Sequence, residues 1–129
     1  IRSLATRGSL GGLPPMSKEI IQLVKAAPFD YIIIETVGVG QNEIEIASLA
    51  DLTIVVLVPE SGDDIQIMKA GLMEIADMFV VNKCDRPGAD HFVNELRMSV
   101  PKDKRVIKTI ANTKYGVSDL VSAINNYFV

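Results

Sequence analysis

Four short apolar runs rich in β-branched residues punctuate the chain, at residues 31–35 (YIIIE), 53–58 (TIVVLV), 78–82 (MFVVN) and 105–109 (RVIKT). They are continuous rather than alternating, the pattern of strands covered on both faces. Between them the apolar positions shift to helical spacing. Ile65, Met68, Leu72 and Ile75 follow the second run, Phe92, Val93 and Leu96 the third, and Val117, Leu120, Val121 and Ile124 the fourth. Residues 42–49, after the first run, form a shorter helical candidate. Pro14 and Pro15 precede a helix whose Ile20, Ile21, Val24 and Ala27 share one face and which ends near Pro28. Strands alternating with helices predict an α/β fold, a parallel sheet flanked by helices on both faces.

In such a sheet, ligands bind beyond the carboxyl ends of the strands. Polar and glycine-rich residues follow all four runs. The first leads into Glu35-Thr-Val-Gly-Val-Gly-Gln-Asn-Glu43, which fits two glycines of the dinucleotide fingerprint G-x-G-x-x-G. Glu43 stands in the place of the third, where the helix must pack closely and phosphate would repel a carboxylate. Another role is therefore expected for this loop. A carboxylate at the end of a buried strand, as Glu35 is, can hold the hydration shell of Mg²⁺, an ion that keeps several of its waters. Gly38 and Gly40 would then form a loop that senses a γ-phosphate. Gln41 is either a group that orients an attacking water or an ordinary loop residue.

The third run ends in Asn82-Lys83-Cys84-Asp85, which matches N-K-x-D, the guanine-recognition motif of GTPases. A carboxylate such as Asp85 accepts from both the ring N–H and the exocyclic amine of guanine, and adenine offers no such pair of donors. Lys83 would lay its stem along the base, and Asn82 would tie neighbouring loops together. The bland alternative is a solvated turn.

Composition narrows the remaining choices. The chain has 129 residues, one domain or part of one, and its 48% apolar content is enough for a core. A net charge of −3 without a Lys/Arg block excludes an electrostatic footprint for nucleic acid or an anionic membrane. Neither is expected as a partner. The one cysteine, Cys84, and the one histidine, His91, cannot assemble a metal site. There is no apolar run of membrane-spanning length, so the expected compartment is the cytoplasm, or the mitochondrial matrix in a eukaryote. The opening on Ile1 in mid-pattern suggests a longer protein upstream.

The combination of Glu35-Thr-Val-Gly-Val-Gly-Gln41, the stretch 62–77 (GDDIQIMKAGLMEIAD) and Asn82-Lys83-Cys84-Asp85, with Gly8-Ser-Leu-Gly-Gly12 upstream, resembles the MeaB/ArgK family of P-loop GTPases. The resemblance runs from about Arg2 to Leu120. It implies a P-loop NTPase G domain of the SIMIBI type, incomplete at its N-terminus, with GTP or GDP and Mg²⁺ as ligands. It further implies a GTP-hydrolysing chaperone that loads and protects an adenosylcobalamin-dependent methylmalonyl-CoA mutase, in a parent that is a homodimer. Asp63, Asp64, Gln66 and Lys69 would belong to a switch that communicates with the mutase. Asp63 and Asp64 can equally be helix-capping residues. Ala111 would offer its N–H to the guanine carbonyl.

Two departures stand out. No G-x-x-x-x-G-K-[ST] is present, and in the nearest mimic, Gly12-Leu-Pro-Pro-Met-Ser-Lys18, Pro14 and Pro15 remove the donors that a phosphate nest requires. The expected domain is thus a partial one, residues 1–129, with the P-loop and first switch absent. Ile110 also stands where the family usually has Ser. Cobalamin should bind the mutase, since the chain has no D-x-H-x-x-G pattern. Two other readings remain open: a metallochaperone-type GTPase of the same fold, which needs a Cys/His motif, and a module that only mediates contacts.

Overall fold

The computed structural model describes residues 16–36, 45, 47–59 and 71–129. They fall into two compact units, Ile1–Asp51 and Leu52–Val129.

In the first unit, helix α1 spans Ser17–Lys25. Its Ile20, Ile21 and Val24, with Ala27 just beyond, are half-buried, while Glu19, Gln22 and Leu23 are exposed. The expected face is therefore the covered one. Glu19 in the first turn and Lys25 in the last complement the helix dipole. Lys25 Nζ also reaches Asp51 Oδ2 at 3.3 Å, an exposed pair that solvent and salt screen.

The run 31–35 corrects the sequence reading. It has the composition of a strand, yet residues 31–36 are not strand, and Ile33 is 90% exposed. Strand conformation is held by ladder hydrogen bonds to a neighbour. No described strand pairs with this run.

The second unit is built on three parallel strands in the order β1 (Ile54–Leu57), β2 (Met78–Val81), β3 (Arg105–Lys108). Ile54 pairs with Met78, and Met78 with Arg105. All four residues of the central strand are buried, which explains why its sequence is unbroken by polar positions. Phe79 and Val81 pack into a core with Ala76 and Val100 and with Phe92, Val93 and Leu96 of helix α3 (Ala89–Ser99). Met78 and Val80, which alternate with them, are buried as well, so both faces of β2 are covered.

Polar contacts fix the entry to this strand. Thr53 N donates to Asp77 Oδ2 at 2.8 Å, and Asp77 N donates to Thr53 O at 2.9 Å. These reciprocal bonds pin the register between β1 and β2. The short helix α2 (Leu72–Ile75) precedes the junction, and its end is closed from outside. Lys104 Nζ donates to Met73 O at 3.3 Å, to Glu74 O at 3.2 Å and to Ala76 O. One ammonium thus satisfies three carbonyls that the helix leaves over.

Helix α4 (Val117–Tyr127) closes the unit. Val117, Leu120 and Ile124 are half-buried and Ala123 is buried, whereas Val121 is 49% exposed. The covered stripe is therefore turned away from Val121, a second correction. Among the described residues, no helix is long and apolar enough to cross a membrane.

Candidate functional site

The parallel sheet brings the ends of β2 and β3 to the same rim. The central ladder continues one residue past β2, with Asn82 N donating to Leu57 O at 2.8 Å. The backbone then turns sharply. Lys83 adopts φ 58°, a left-handed conformation uncommon outside glycine. Arg86 N closes the turn on Lys83 O at 3.1 Å, and Cys84 N donates to Thr109 O at 3.1 Å. Lys83 and Asp85 are exposed, whereas Cys84 is half-buried. The turn thus presents a lysine and a carboxylate to solvent from a rigid base.

Cys84 points the other way. Its Sγ donates to Val81 O at 3.1 Å, and burial pushes the thiol pKa up, partly offset by the backbone hydrogen bond from Thr109 and by the charge of Lys108. A protonated, inward thiol is neither nucleophile nor metal ligand at neutral pH. Among the described residues, no group of three His, Cys, Asp or Glu side chains could hold a metal ion.

Asn82 is the hub. Its Oδ1 accepts from Ala111 N at 3.1 Å and from Thr109 Oγ1 at 3.1 Å. The structure therefore joins two residues, Asn82 and Ala111, that lie far apart in sequence. The Ala111 N–H, expected to face a base, is engaged by the Asn82 oxygen here. Residues Ala111–Thr113 form a single 3₁₀ turn. That loop is pinned at its base by Ile110 N donating to Tyr115 O at 3.1 Å.

The loop returns to α4 through Gly116, at φ +72°, where an added Cβ would lie 2.0 Å from Lys108 O. Only glycine permits this approach. Beside it, Lys108 and Asp90 form an ion pair that links β3 to the first turn of α3. The hydrogen bond lowers the Asp90 pKa and raises that of Lys108. Both groups are solvent-accessible, so the pair orients more than it stabilises.

Thr109 is the site residue that sequence reasoning missed. It reads as the last position of a strand, yet it is buried and its hydroxyl holds Asn82. A threonine after a strand opposite an N-K-x-D asparagine was the only available signal. Glu35 belongs to the first unit, is exposed, and lies outside any strand. Gly38, Gln41, Asp63, Asp64, Gln66 and Lys69 lie outside the described residues.

Comparison with known proteins places the chain in a family. The family described as Methylmalonyl Co-A mutase-associated GTPase MeaB matches residues 1–129. A Pyrococcus horikoshii protein named as a GTPase is 45% identical over 98% of this chain and 43% of its own length. GTPase ArgK of Escherichia coli is 46% identical over 66% of this chain and 26% of its own. The mouse protein named Methylmalonic aciduria type A homolog, mitochondrial, is 42% identical over 66% of this chain and 20% of its own. The chain thus spans less than half the length of these relatives. With a matching family over its full length and a parallel α/β sheet that carries the N-K-x-D turn, the chain belongs to the MeaB family of P-loop GTPases.

Proposed function

We propose that this chain is the guanine-recognition part of a GTPase that hydrolyses GTP and serves as chaperone to an adenosylcobalamin-dependent methylmalonyl-CoA mutase. The observation that carries the reading is the rim where Asn82 bridges the turn after β2 to Ala111 after β3. Asp85 would accept the guanine ring N–H and exocyclic amine, Lys83 would cover the base, and Asn82 would keep the two loops in register. Ala111 N–H would meet the base carbonyl. A site built for these donors rejects adenine because its own polar groups would be left unpaired.

The phosphates would be gripped by a P-loop outside these 129 residues. Gly38 would sense the γ-phosphate, and Gln41 would orient the attacking water. The exposed carboxylate of Glu35 fits a water-mediated contact to Mg²⁺, a hard ion that prefers oxygen ligands and retains water. Bound there, Mg²⁺ would neutralise charge on the phosphate oxygens. Asp63, Asp64, Gln66 and Lys69 would transmit the nucleotide state to the mutase. The mutase assignment draws support from the family description and from the mouse relative's name.

The test is GTP turnover by the full-length protein and by this chain alone, each with and without a methylmalonyl-CoA mutase. The full-length protein is expected to hydrolyse GTP and to be accelerated by the mutase. The chain alone should show background turnover, because positioning and charge stabilisation of the phosphates supply nearly all catalysis in phosphoryl transfer. Turnover by the chain alone would contradict the partial-domain reading, and indifference to the mutase would contradict the chaperone role.

A further inference from the structure

We propose that Thr109 is the positioning residue that frees the Ala111 N–H for the carbonyl of guanine, an inference that rests on reading the rim as a guanine site. The Asn82 Oδ1 atom has two lone pairs, and both are occupied, by Thr109 Oγ1 at 3.1 Å and Ala111 N at 3.1 Å. An N–H carries a single proton. A base carbonyl that takes it must displace the Asn82 oxygen, which then keeps one donor, the Thr109 hydroxyl. That hydroxyl is fixed in place: Thr109 N donates to Val81 O at 2.8 Å, and Thr109 O accepts from Cys84 N at 3.1 Å. Its residue is buried, so no water can readily substitute for it.

The hydroxyl has one proton and two acceptors in reach, Asn82 Oδ1 at 3.1 Å and Val81 O at 3.5 Å. The shorter contact is the stronger, and Val81 O is already served by Thr109 N and by Cys84 Sγ. The proton therefore belongs to Asn82. Without it, the Asn82 oxygen would compete with the base for the Ala111 N–H, its one remaining partner. Thr109 thus acts on ligand binding more than on the empty fold. Ile110, at the next position, has no side-chain donor. The Thr109 hydroxyl is the side-chain donor that serves Asn82.

The experiment compares full-length wild type, Thr109→Val and Thr109→Ser with two probes, GDP and the diphosphate of 2-aminopurine riboside, which has no carbonyl to compete for the Ala111 N–H. Thr109→Val should weaken GDP binding by about fivefold to tenfold, the loss of one hydrogen bond, and leave the second probe unchanged. Thr109→Ser should restore GDP binding. Equal losses for both probes, or an unchanged GDP affinity in Thr109→Val, would overturn the proposal, the first by making Thr109 merely structural. Wild type that binds GDP no better than ADP would instead overturn the guanine reading beneath it.

Discussion

At the scale of single residues, the loop after β3 depends on one backbone approach. A methyl group at Gly116 would meet Lys108 O at 2.0 Å, whereas one at Gly88, also at positive φ, would meet nothing within 4 Å. Both substitutions incur the left-handed strain of an L-residue, about 1 kcal/mol. Gly116→Ala must also push the loop off the strand, a backbone clash that no rotamer relieves. Thermal denaturation should therefore show a clearly larger loss for Gly116→Ala than for Gly88→Ala. Equal losses would mean that the loop shifts freely and does not hold Ala111 in place. The position of the turn carrying Asn82, Lys83 and Asp85 was legible in the sequence because the motif directly follows a buried strand. Thr109 was not, since its role lies in a contact with Asn82 that only the parallel pairing of β2 and β3 creates.

At the scale of elements, the least self-sufficient helix is α2. Four residues cannot sustain a helix alone, and the end of this one is closed by Lys104 from the connection between α3 and β3. Lys104→Met keeps most of the stem and removes all three donors, at a cost of about 1–3 kcal/mol for the carbonyls left behind. Amide exchange should then accelerate across residues 72–76 while β2 stays protected. Unchanged exchange there would show that packing of Leu72 and Met73 on the core holds the helix without the lysine. The legible elements were those whose own residues decide them. β2 is apolar at every position, and α3 places Phe92, Val93 and Leu96 on one face. The run 31–35 failed because a strand needs a neighbour, which composition cannot supply. Val121 failed because periodicity gives the width of an apolar stripe better than its centre, and Ala123 proved to be the buried position.

At the scale of the whole molecule, the described residues form a three-stranded parallel sheet with one polar rim, which the proposed function assigns to base recognition. The chain spans 43% of its Pyrococcus relative and contains no G-x-x-x-x-G-K-[ST] motif. The fold class was readable because strand and helix alternate. Asp63 and Gln41, named from the sequence as further candidates, lie outside the described residues. The central claim is that Asp85 reads guanine, and nucleotide affinity of full-length Asp85→Asn tests it most directly. An amide opposes one guanine donor with a donor of its own, so GTP binding should weaken by about 2–4 kcal/mol. Xanthosine triphosphate, whose carbonyl replaces the exocyclic amine, should gain correspondingly. An unchanged GTP affinity in that variant, with ATP bound as tightly by the wild type, would contradict the account.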